Sequence, residues 1–133
     1  MRFVLDENLP RQLVRRLDRL SRFPVEHALD YRDAGTPDED LKALAAEQRV
    51  VIVTRDWEFI PSDVTRRTYL DKQVSALILA GALGGGGLGG ATLTELETWF
   101  REHWARVEDA FERAGRPIVI RAYLDGRLVI QEE

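Results

Sequence analysis

The chain contains no cysteine, and only two histidines and one methionine among its 133 residues. Without thiols there is neither a disulfide framework nor a zinc–thiolate site, a usage that fits an intracellular setting. There is no basic excess either. Lys and Arg number 19 against 23 Asp and Glu, giving a net charge of -4 and a pI near 5.3. That balance argues against holding nucleic acid by bulk charge, although a local basic patch stays open. No apolar run approaches the ~20 residues needed to cross a bilayer. Asp6 and Glu7 interrupt the first apolar stretch before it resembles a secretory signal. With 44% hydrophobic and 32% charged residues the composition is that of an ordinary globular protein. The expectation is one compact domain over 1–133, cytoplasmic, without repeats.

Short apolar runs alternate with helical patterns. Arg2 to Leu5 reads as a buried strand, and a helix follows from about Leu9 or Pro10 to Leu20. Its Leu13, Leu17 and Leu20 share one face, with Arg11, Arg15, Arg19 and Arg22 opposite. Pro24 to Ala28 is a weaker strand. Thr36-Pro37-Asp38-Glu39 combines an N-cap, a first-turn proline and a capping-box acid, and starts a helix to about Gln48. Val50 to Val53 and Ser75 to Ala80 read as strands, with a turn or short helix over Asp56 to Ser62. A glycine-rich loop at 81–91 precedes a second capping box, Thr92 to Glu95, and a long helix at 92–114. Ile118 to Tyr123 and Arg127 to Gln131 flank Leu124-Asp125-Gly126, a hairpin signal over 118–131. This order predicts an α/β fold with a mainly parallel sheet, right-handed crossovers and an antiparallel C-terminal hairpin.

The informative feature is where the strands end. Val4-Leu5 runs into Asp6-Glu7-Asn8, and Val51-Ile52-Val53-Thr54 runs into Arg55-Asp56-Trp57-Glu58. Ligands of parallel α/β sheets bind at the carboxyl ends of the strands, and clustered acids there need a proton or cation to neutralise them. At ~100° per residue Asp38 lies within about 60° of Leu41 and on the side of Ala45, the face turned to the sheet. Glu39 and Asp40 point elsewhere. Asp6, Asp38 and Asp56 can therefore converge, with Glu58 as a fourth oxygen ligand and Glu7 as an alternate. Each acid also has a structural role open to it as a helix cap or dipole partner. Carboxylates without histidine or cysteine suit Mg²⁺ or Mn²⁺, ions that activate water and neutralise the leaving oxygen in phosphodiester cleavage.

Three motifs, Leu5-Asp6-Glu7-Asn8-Leu9-Pro10, Pro37-Asp38-Glu39-Asp40-Leu41 and Val53-Thr54-Arg55-Asp56-Trp57-Glu58-Phe59, resemble the PIN-like family known as DUF5615. The resemblance covers roughly residues 1 to 80 and extends to PIN-domain ribonucleases, including toxins of toxin–antitoxin pairs. It implies a PIN-like three-layer α/β/α sandwich with Asp6, Asp38 and Asp56 catalytic and ligating Mg²⁺ or Mn²⁺ together with Glu58. Thr54 would orient a ligand or a neighbouring carboxylate, and with Asn8 and Arg55 would serve an RNA substrate, with a small antitoxin or a second copy as partner. Glu58 stands where the family often has aspartate, and the Gly84 to Gly90 tract looks like an insertion. A catalytically inactive, dimerising or partner-binding PIN-like module is the alternative.

Other features carry less. The glycine tract lacks the lysine of a phosphate-binding loop and reads as flexible. The arginine stripe suits a solvated helix face, or an RNA backbone with Arg55, Arg66 and Arg67 adding charge. His103 belongs to a packed helix face. His27 ends a strand near the predicted pocket. Trp99 and Trp104 suit the core or a subunit interface. A phospho-receiver reading fails because Gly81, not lysine, follows the late strand.

Overall fold

The computed structural model describes residues 1–7, 9–28, 49–55, 74–81 and 87–131. Among these, the elements are β1 (Arg2–Leu5), α1 (Gln12–Asp18), β2 (Val25–His27), β3 (Val50–Arg55), β4 (Ser75–Leu79), a 3-10 turn (Leu88–Gly90), α2 (Leu93–Ala114), β5 (Val119–Ala122) and β6 (Leu128–Ile130). The expected helix from Thr36 to Gln48 and the turn over Asp56 to Ser62 lie outside the described residues. So do Asn8, Asp38, Asp56, Glu58, Arg66 and Arg67.

The strands form one sheet in the order β2-β1-β3-β4-β5-β6. Its first five strands are parallel and β6 runs antiparallel to β5, as the α/β reading expects. The strands are apolar on both sides because the sheet is buried on both sides, the usual condition of parallel strands. Alternation sends Phe3, Leu5, Val51, Val53, Leu77, Leu79 and Ile120 into the main core. Val4, Val50, Ile52, Ala76, Ile78 and Val119 fill smaller clusters on the other face.

Both described helices pack on the first face. Leu13 and Leu17 of α1 join the main core with Leu96, Trp99, Phe100, Trp104, Val107 and Phe111 of α2. Trp104 anchors this layer, with ring centroids 4.6 Å from Phe3 and 5.3 Å from Phe100. Trp99 donates its ring N–H to the Tyr123 carbonyl at 2.9 Å. Both tryptophans are therefore core residues and not the centre of an interface. α2 begins as read: the Thr92 hydroxyl accepts from the Glu95 amide, and the Glu95 carboxylate accepts from the Thr92 amide. The Thr92 amide, and after it the Thr92 hydroxyl, hold the Glu95 carboxyl below its ordinary range.

Three expectations change. β2 lies on one side of β1 and β5 on the opposite side of β4, while α1 and α2 share a face. Two such connections have opposite hands, so the right-handed rule holds for only one of them. Second, α1 closes at Asp18, and Leu20, in the turn beyond it, is 38% exposed instead of joining Leu13 and Leu17. Arg22, also past the helix, leaves the arginine stripe to meet Asp109 at 3.1 Å. Third, the ends of the glycine loop are anchored. Leu88 is buried, and the Gly89 amide donates to the Ala80 carbonyl at 2.9 Å. Gly81 has φ +124°, and a Cβ there would stand 2.6 Å from Gly87 Cα, so neither crossing strand of backbone tolerates a side chain.

Candidate functional site

β1 and β3 are paired in register, Leu5 against Val53, and both run their carboxyl ends to the same edge of the sheet. The next residues, Asp6 and Thr54, consequently stand opposite each other, and the Asp6 amide continues the ladder to the Val53 carbonyl at 2.8 Å. Adjacent strands are ~4.8 Å apart, close enough for two short side chains to touch. The Thr54 hydroxyl donates to Asp6 Oδ2 at 2.9 Å. Thr54 is buried and Asp6 half-buried, so the bond sits at the boundary between sheet and solvent. Its effect is to fix one carboxylate oxygen while the group as a whole still reaches the crevice.

The Asp6 turn is braced from the other side. Leu9 donates its amide to the Asp6 carbonyl at 2.9 Å, and the buried His27 ring places Nε2 2.8 Å from the Leu9 carbonyl. His27 thus supports the loop after β1. Glu7 is exposed. Arg55 follows Thr54 in the strand, and alternation turns it to the α1–α2 face, away from the Asp6–Thr54 pair. It is half-buried, and burial lowers its pKa.

One functional candidate escaped the sequence reading. Thr54 is in register with Ile78, and Ile78 with Arg121. Asp6, Thr54, Ile78 and Arg121 thereby form one cross-strand row on one face. Arg121 is 5% exposed, and its pKa is lowered by burial. The available signal was its position inside Val119-Ile120-Arg121-Ala122, a strand otherwise apolar on both faces. A guanidinium so placed costs desolvation, which a purely structural strand residue would avoid.

Of the predicted metal-ligating set, Asp6 alone lies among the described residues, and no group of three or more potential metal ligands gathers there. The donor chemistry at Asp6 is hard oxygen, buttressed by a hydroxyl and free of sulfur, which fits Mg²⁺ or Mn²⁺. The family described as "PIN like domain" matches residues 1–81, more than half of the chain and the whole of the Asp6–Thr54 edge. The chain belongs to the PIN-like domain family. That family is of nuclease type, and PIN domains generally use divalent metals. No curated protein and no solved structure matches the chain. Among the described residues no helix is long and apolar enough to cross a membrane.

Proposed function

We propose that this PIN-like domain is a metal-dependent ribonuclease that hydrolyses phosphodiester bonds at the carboxyl edge of β1 and β3. The observation that carries the reading is the Thr54–Asp6 hydrogen bond at the tips of two adjacent parallel strands within the family-matched region. Asp6, with Asp38, Asp56 and Glu58, would hold Mg²⁺ or Mn²⁺. A divalent ion bound there supplies an activated water and charge neutralisation at the leaving oxygen. Thr54 keeps Asp6 in one rotamer, and the His27–Leu9 bond keeps the turn from collapsing over the edge. Arg121, in the same row, contributes positive charge toward a bound phosphate. Asn8 completes the substrate-facing set in this reading, whereas Arg55, turned to the α1–α2 face, stands apart from the Asp6–Thr54 pair.

The test is hydrolysis of single-stranded RNA with and without Mn²⁺, alongside Asp6→Asn and Asp56→Asn. Activity that requires Mn²⁺ and disappears in both variants supports the proposal. Mn²⁺-independent activity, or activity retained in both variants, defeats it.

A second reading, a toxin or a non-catalytic module that binds an antitoxin or a second copy, is favoured by one observation. β6 is an edge strand with Val129 42% and Ile130 48% exposed, and Leu124 in the adjoining turn is 51% exposed. Unpaired strand edges are templates for another chain's strand. Co-expression with the neighbouring open reading frame, followed by light scattering, separates a cytoplasmic toxin–antitoxin pair from a homodimer and from a monomer.

A further inference from the structure

We infer that the arginine face of α1 is a track for the backbone of a single-stranded RNA leading to the Asp6 edge; this rests on the nuclease reading. The observation is a cavity of about 850 Å³ between α1, β2 and α2, whose walls include Arg11, Arg15, Arg16, Arg19, His27 and Glu97. Among the described residues, four guanidiniums face one carboxylate there, in a chain whose net charge is -4. The carboxylate is already engaged: Glu97 pairs with Arg16 and, one helical turn on, with Arg101 at 3.3 Å. Arg15 and Arg19 are exposed, and no carboxylate among the described residues pairs with either. A helix that serves only as a solvated face has no reason to gather its cations around a concavity.

Spacing names the ligand class. Arg11, Arg15 and Arg19 recur every fourth residue, a rise of ~6 Å per step. A row of evenly spaced guanidiniums matches a polymer that carries one anion on every unit, and guanidinium binds phosphate through two parallel hydrogen bonds. Position argues for RNA over an acidic protein segment. His27 in the cavity wall donates its Nε2–H to the Leu9 carbonyl, and the Leu9 amide donates to the Asp6 carbonyl. The track therefore begins two hydrogen bonds from the Asp6 main chain. Asp6 turns to the opposite sheet face, so a strand lying along α1 passes over the carboxyl edge of the sheet to reach it. An extended polymer makes that passage, and a mononucleotide does not.

The experiment measures anisotropy of a fluorescein-labelled single-stranded RNA in EDTA, where cleavage is blocked, across a salt series. The Arg15→Glu/Arg19→Glu variant should bind at least about tenfold more weakly, with a salt slope shallower by about 1.4, the share of two phosphate contacts on a single strand. Arg15→Lys/Arg19→Lys, which keeps the charge, should recover most of the binding. Circular dichroism checks the fold, since both side chains are exposed. Unchanged RNA binding in the Glu variant overturns the inference. So does a wild-type protein that ignores RNA and binds a polyglutamate peptide through these arginines, which would mark a protein-docking groove. Mn²⁺-dependent hydrolysis of bis-p-nitrophenyl phosphate by the wild type reports the chemistry separately. Should that hydrolysis be absent while RNA binding depends on Arg15 and Arg19, the nuclease reading fails and the track stands.

Discussion

Thr54→Val removes one hydroxyl and almost nothing else. The two side chains have nearly the same shape, both are β-branched, and both prefer few rotamers in a strand. Thr54 is 5% exposed, and its hydroxyl donates to Asp6 Oδ2 at 2.9 Å, a charge-assisted bond. Bonds to charged groups contribute roughly 1.5–3 kcal/mol net. Asp6 is half-buried, so water regains part of the loss and the low end applies, about 1.5 kcal/mol of unfolding free energy. The larger effect falls on ion binding. A carboxylate that has lost its orienting partner must be re-ordered when the ion arrives, and partners of metal ligands are typically worth about 10–100-fold in affinity. Calorimetric titration with Mn²⁺ reads that quantity, and chemical denaturation reads stability. Thr54→Ser, which restores the hydroxyl without the methyl, should recover ion affinity more fully than stability. If Thr54→Val binds Mn²⁺ as tightly as the parent while Asp6→Asn does not, the hydrogen bond has no role in ion binding and the reasoning about Thr54 is wrong.

How far the sequence could be read depended on whether the signal was local. The strand ends near Asp6 and Thr54 were legible because each apolar run stops at a polar residue, although β3 continues through Thr54 to Arg55 beyond the apolar run that ends at Val53. Their register follows from pairing β1 with β3, which a parallel α/β order suggests. The Thr92–Glu95 capping box was legible because it involves four consecutive residues. Arg121 was not, because its meaning lies in a row of three strand pairings running from β1 to β5. Nor was the hand of the connections, since periodicity shows which face of a helix is apolar but not which face of the sheet receives it. Leu20 misled for a different reason: helical phase was extended past the point where the backbone leaves the helix. For Asp38, Asp56, Glu58 and Asn8 the strand-end and helix-phase arguments remain those of the sequence.

Three further outcomes test the fold that carries the site. Trp104→Ala empties the centre of the main core between Phe3 and Phe100 and should cost about 3–5 kcal/mol in denaturant unfolding. Trp104→Phe should cost less than half of that, since among the described residues the indole N–H has no hydrogen-bond partner to lose. Thr92→Ala removes the hydroxyl that accepts from the Glu95 amide while leaving the Thr92 amide in place, and should cost about 1 kcal/mol, a fall of roughly 4 °C in Tm for a chain of this size by calorimetry. The last concerns Glu108, buried on α2 with its Oε2 2.9 Å from the Arg22 amide. Burial raises its pKa above the ordinary carboxylate value, outweighing the Arg22 amide and charge and the Ser21 hydroxyl, which act the other way. The folded protein thus holds this proton more tightly than the unfolded chain. Its contribution is fully present below the ordinary glutamate pKa and is lost as pH rises through the raised one. Glu108→Gln keeps an acceptor for the Arg22 amide but cannot ionise, so it should gain on the parent as pH climbs through that window and hold its advantage at neutral pH. Denaturation of both proteins across that pH range checks the sign. A difference that is flat with pH, or that grows toward acid, would show that the buried carboxyl does not carry the cost assigned to it.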